Sequence, residues 1–129
     1  MRTIIAGSRD VTDYEKVTVA VKLSGFVITE VVSGGARGVD TLGEQYAKEH
    51  SLSCKRFPAD WSKYGRAAGP IRNEQMAEYA EALVALPVKT SKGTRHMIKA
   101  ATARGLRVFV KEVTNDKTNS TTTDSSDAT

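Results

Sequence analysis

The feature that most constrains this chain is an alternation. Short, continuous apolar runs are separated by amphipathic stretches, and the glycine-rich turns gather behind the runs instead of ahead of them. The first run, Thr3-Ile4-Ile5-Ala6, closes on Gly7-Ser8-Arg9. Val17, Val21 and Leu23 then recur near helical spacing until Gly25. A second run, Val27 to Val32, ends in Ser33-Gly34-Gly35, and a helix is expected from about Val39 to His50. Cys54 to Phe57 read as a short third strand before a loop opened by Pro58, with Cys54 packed in the strand. A helix from about Pro70 to Tyr79 leads into a fourth strand, Ala82 to Leu86. Thr94 to Ala103 reads as helix, Gly105 as its cap and Leu106 to Val110 as the fifth strand.

Such β-α-β alternation predicts an α/β fold: one Rossmann-like, doubly wound domain, with a five-stranded, mainly parallel sheet and helices on both faces. The chain has 129 residues, 40% hydrophobic and 26% charged, which suits one soluble globular domain. That domain is expected over residues 1–113. Residues 114–129 are Thr, Ser, Asn and Asp with almost nothing to bury, and are expected to form a disordered tail. No apolar run is long enough for a membrane span and no charged-then-apolar leader is seen. Cys54 is the single cysteine, and metal-spaced Cys and His are absent, so no metal and no cofactor is expected. A cytoplasmic protein is the expectation. Residues 1–111 carry a net charge of +7 and residues 112–129 carry −3, so the folded part favours anionic partners or is simply charged for solubility.

In a sheet of this kind ligands bind beyond the carboxyl ends of the strands. The candidate site residues fall there. Gly7, Ser8 and Arg9 follow the first strand; Ser33, Gly34, Gly35, Arg37, Gly38 and Asp40 follow the second. Glycines at a strand-to-helix turn let backbone amides approach a phosphate, and Arg37 is placed to grip the same anion. A tight turn without ligand uses the same residues. The spacing S-x-G-x-x-G puts Ser33 where a dinucleotide fingerprint has glycine, and no Gly-Lys-Ser/Thr follows, so ordinary NAD or ATP binding is not supported. Gly93 and Thr94 open the last helix, either as a second anion contact or as a helix cap.

The long third loop holds the only tryptophan, Trp61, among Asp60, Lys63, Tyr64 and Arg66. An aromatic ring beside guanidinium groups suits a nucleobase and its phosphate; the alternative is a ring plugging the core. Arg72 and Asn73 start the third helix, and an arginine in a first turn opposes the helix dipole unless an anion sits there. His50 and His96 read as a helix-end residue and a surface residue.

These motifs carry a resemblance. Gly7-Ser8-Arg9, the run Gly34 to Asp40, Phe57-Pro58-Ala59-Asp60-Trp61 and the continuation Tyr64 to Asn73 resemble the SLOG superfamily, nearest its small YspA-like branch, over about residues 2–110. The superfamily is named for Smf/DprA proteins and the Lonely-guy enzymes. The resemblance implies a Rossmann-like fold with a nucleotide or nucleotide-derived ligand, signalling molecules included, at these loops. Arg9, Gly34, Gly35, Arg37 and Arg72 would hold phosphates, Asp40 or Asp60 the ribose, and Trp61 the base. It also implies self-association, as a dimer or higher homo-oligomer, with Met76, Tyr79 and Ala80 as one candidate face.

Two alternatives follow from the same resemblance. Lonely-guy enzymes cleave nucleoside 5′-monophosphates through R-x-x-x-M and P-G-G-x-G-T-x-x-E motifs. Arg72 with Met76 is similar to the first, and Ala85-Leu86-Pro87 with Gly93-Thr94 to the second, but the glutamate falls at Met97. Methionine can neither stabilise an oxocarbenium ion nor guide water, so enzyme activity stays open. DprA relatives imply nucleic-acid binding as a second alternative.

Overall fold

The computed structural model describes residues 1–114; the expected tail, apart from Thr114, lies outside the described residues. A single sheet runs in the order β3-β2-β1-β4-β5, every neighbouring pair parallel. Its strands are β1 (Arg2–Gly7), β2 (Glu30–Ser33), β3 (Ser53–Arg56), β4 (Ala82–Leu86) and β5 (Arg107–Val110). The helices are α1 (Tyr14–Ser24), α2 (Val39–Glu49), α3 (Trp61–Tyr64), α4 (Ala68–Tyr79) and α5 (Lys92–Ala103).

The central strands are the continuous apolar runs because both of their faces are covered. All of β4, Ala-Leu-Val-Ala-Leu, is buried, as are Thr3 to Ala6 of β1. Successive side chains point to opposite faces and so serve two cores. Ile5 packs with Val17, Ala20 and Val21 of α1 and Leu42 and Ala47 of α2. Ile4 and Ala6 pack with Met76, Ala77 and Ala80 of α4 and Met97, Ala100 and Ala101 of α5. The change of face comes where the chain leaves edge strand β3 and returns to β4 beside β1. This switch point opens a crevice at the carboxyl ends of β1 and β4.

Several expectations shift. The second run is strand only over Glu30–Ser33, because β1 begins at Arg2, opposite Glu30; Val27 is 75% exposed. Cys54 is not packed: β3 is an edge strand and all four of its residues are exposed. The loop after Pro58 contains α3 and a 3₁₀ turn, Gly65–Ala67, and α4 starts two residues before Pro70. Proline is tolerated there because a first-turn N–H has no partner within the helix. Met76 and Ala80 are spent in the core and present no face to a second copy.

Candidate functional site

The loops that leave β1, β2 and β4 meet on one rim. Gly7 ends β1 so close to β4 that a Cβ would lie 2.4 Å from the Leu86 carbonyl oxygen. The Ser8 amide donates to that same oxygen at 3.1 Å, and the Ser8 carbonyl accepts from Val39 N–H at 3.1 Å. Gly38 makes this second contact possible. Its φ of +76° is left-handed, and a Cβ would stand 2.3 Å from the Ser8 oxygen. The first two glycine turns are thus stapled together.

Ser33, fully buried, shapes the second turn from behind. Its hydroxyl donates to Glu44 Oε2 at 2.6 Å and accepts from the Gly35 amide at 3.0 Å. Glu44 also accepts from Arg56 Nε at 3.1 Å, which hangs the Arg56 guanidinium over Gly35. The Ala36 amide donates to Asp40 Oδ2 at 3.3 Å. The amides of Gly35 and Ala36 are therefore taken by the chain's own oxygen atoms, and the cationic side chains around them are what faces outward.

Gly34 is wedged between Arg72 and Asp40: a Cβ there would lie 2.6 Å from Arg72 Nη1 and 2.8 Å from Asp40 Oδ2. Arg72 Nη1 donates to the Gly34 carbonyl at 2.5 Å. Burial pushes the Asp40 carboxyl from its ordinary 3.8 up to about 6, while the Ala36 amide and the Arg72 guanidinium pull it back. Burial lowers the pKa of Arg72; Asp40 raises it and the like charge of Arg9 lowers it. The guanidinium still stays protonated at neutral pH. Arg72 stands in the second turn of α4, so its charge is balanced by a carboxylate and a carbonyl, and the helix dipole decides little.

Asn73 ties α4 to the start of α5. Arg72 Nε–H donates to Asn73 Oδ1 at 3.1 Å, which makes Nδ2 the donor end of the amide. Nδ2 donates to the Gly93 carbonyl at 3.3 Å and meets His96 Nδ1 at 3.1 Å. His96 Nδ1 is then the acceptor, and the ring proton sits on Nε2.

Two adjoining hollows result, of about 480 and 410 Å³, within the range of small-molecule sites. The first is bounded by Ser8, Asp40, Asn73, the stretch Thr90 to Thr94 and His96, with Met76 and Met97 also lining it. The second is bounded by Gly34, Gly35, Arg37, Arg56, Pro58 and Ala59. Arg9, Ala36, Trp61 and Arg72 border both. Trp61 is 52% exposed and does not plug the core. Among the described residues no group of His, Cys, Asp and Glu is arranged to hold a metal, and no helix is long and apolar enough to cross a membrane.

Comparison with known proteins agrees with this architecture. The model of the YspA, cpYpsA-related SLOG family matches residues 1–64. The Gene 61 protein of Mycobacterium phage D29 is 34% identical over 85 residues, covering 61% of this chain and 68% of that protein. The chain belongs to the YspA-related SLOG family. Its fold is also similar to the X-ray structure of DNA processing protein A (DprA) from Streptococcus pneumoniae, with a TM-score of 0.66 and 17% identity. That likeness covers 84% of this chain and about half, 49%, of the DprA chain, and it concerns the fold alone.

In this SLOG chain the two hollows gather most of the candidate residues: Gly7, Ser8, Arg9, Asp40, Trp61, Arg72, Asn73, Gly93 and Thr94 in the first, Gly34, Gly35 and Arg37 in the second. Four line neither. Ser33 and Gly38 lie behind the turns they shape. Asp60 is the N-cap of α3, its Oδ1 accepting from Lys63 N–H at 3.1 Å and from Ser62 Oγ at 2.9 Å. Arg66 is exposed in the 3₁₀ turn. Sequence reasoning missed Arg56 and His96. Arg56 closes β3, so the carboxyl-end rule could have found it; His96 had no local signal, because its partner Asn73 is 23 residues away.

Proposed function

We propose that this SLOG protein binds a nucleotide or nucleotide-derived ligand in the adjoining hollows. One observation carries the reading: Arg9 after β1 and Arg72 on α4 border both of these neighbouring hollows, Arg37 after β2 borders the second, and the half-exposed ring of Trp61 lines both. Guanidinium groups recognise phosphate oxygens in pairs, and the ring offers a base a surface to stack on. Asp40 lies within reach of a sugar hydroxyl in the first hollow.

Trp61 is the only tryptophan, so its fluorescence reports the site directly. Titration with nucleoside monophosphates, ADP-ribose derivatives and cyclic nucleotides is expected to give a saturable change with at least one of them. Arg72→Met should abolish it. No fluorescence change and no calorimetric heat from folded protein with the whole panel would remove the proposal.

Binding stands ahead of cleavage because Met97, 1% exposed, lines the first hollow at the position of the Lonely-guy glutamate. Release of free base and ribose 5-phosphate from a monophosphate, lost in Arg72→Met, would reverse that order. Nucleic-acid binding is a second reading, favoured by the arginines of the second hollow and by the likeness to a DNA processing protein. It requires an affinity for single strands that falls steeply with salt. We expect the protein to act in the cytoplasm and to self-associate, the latter tested by sedimentation.

A further inference from the structure

We infer that the ligand is a nucleotide with two phosphate groups held apart by its sugar, one seated in each hollow. This rests on the nucleotide reading above. Each hollow has its own uncommitted cation: Lys92 in the first and Arg37 in the second, both exposed and without an ion-pair partner among the described residues. Arg9, exposed and likewise without an ion-pair partner among the described residues, borders both hollows, and the remaining arginines of the site are engaged. Arg56 is paired with Glu44 at 3.1 Å, and Arg72 is bound to the Gly34 carbonyl. Arg9, Arg72 and the Trp61 ring line both hollows.

This arrangement favours anions at both ends of a flat or ring-bearing body. A single phosphate fills one hollow and leaves the other cation facing water. A pyrophosphate concentrates its charge in one place, whereas Lys92 borders the first hollow alone and Arg37 the second alone. Arg9 and Arg72 also repel each other, and an anion on each side relieves both. The shared chemistry is a nucleoside phosphorylated at its 3′ and 5′ positions, found in a free bisphosphate and in an internal residue of a single strand.

The test compares 5′-monophosphates, 5′-diphosphates and 3′,5′-bisphosphates of adenosine and guanosine, and a tetranucleotide, by Trp61 fluorescence and calorimetry. A bisphosphate is expected to bind about tenfold or more tightly than the matching diphosphate, the gain of a charge-assisted contact in a second seat. Lys92→Ala and Arg37→Ala should each weaken bisphosphate binding about tenfold, and the double variant about a hundredfold, as independent seats require. Equal affinity for diphosphate and bisphosphate, or a double variant no worse than either single one, overturns the two-seat inference and leaves the nucleotide reading standing. No binding by any compound removes both. A tetranucleotide that binds more tightly than the bisphosphate assigns the seats to a strand; the reverse order assigns them to the free nucleotide.

Discussion

Arg72 on α4 donates to the carbonyl of Gly34 in the β2–α2 turn at 2.5 Å, across 38 residues of sequence. This bond fastens the helix on one face of the sheet to the turn that serves the other face. Gly34 must lack a side chain for it to form, since a Cβ would meet Nη1 at 2.6 Å.

The glycines of the rim should therefore separate by mechanism. In Gly38→Ala the new Cβ meets backbone at 2.3 Å at a φ of +76°, a cost on the order of 3 kcal/mol or more. Gly34→Ala meets the movable end of Arg72, and about 1–2 kcal/mol is expected, with loss of ligand binding. Gly93 has open space around it and lies in the first turn of α5, so Gly93→Ala should hold or gain stability by up to about 1 kcal/mol. Urea denaturation gives the order of stabilities. Weaker ligand binding by the stable Gly93→Ala protein would place the ligand against that backbone.

Asp40 should titrate with a midpoint near 6, followed by its carboxyl carbon resonance. The Arg72 guanidinium lowers this value, so Arg72→Met should move the midpoint further up. An unchanged midpoint would mean that the two charges do not sense each other.

The same residue links stability to pH. Its folded pKa, about 6, lies above the ordinary 3.8, so the folded state holds the proton more tightly. The stability this contributes is fully present below about 3.8 and is lost as pH rises through about 6. The shift corresponds to on the order of 2–3 kcal/mol. Asp40→Asn keeps the shape without the charge. It should flatten stability between pH 4 and 6 and be at least as stable as the parent at pH 7, as read from denaturant midpoints across that range.

Asn73 is buried and joins Arg72, Gly93 and His96. Asn73→Ala strands a guanidinium N–H and a carbonyl, at a cost of about 1–3 kcal/mol. The His96 ring should then lose its fixed tautomer, visible in its nitrogen chemical shifts.

Much of this was legible in the residues. Ala82 to Leu86 was readable as a strand to the residue, and the turns after β1, β2 and β4 were readable as gathering at one end of the sheet. Val27 was not: its apolar side chain reads as strand, but no β1 residue lies opposite it in the ladder, so it stays exposed. Asp60 was misleading in another way. A carboxylate beside a tryptophan suggests a ligand contact, yet its nearest donors are the amide and hydroxyl of its own helix start.

The sequence by itself determined the five strands, the four long helices that alternate with them and the end of the sheet where special residues collect. Those follow from periodicity and turn chemistry, which are written within a few residues of chain. Only the tertiary structure decided that Arg56 and His96 join the rim while Asp60 and Arg66 line neither hollow, and that the Gly35 and Ala36 amides are already paired. Such outcomes depend on which distant oxygen atoms satisfy a buried donor. That is settled when β1 comes to lie between β2 and β4, bringing residues dozens of positions apart within bonding distance.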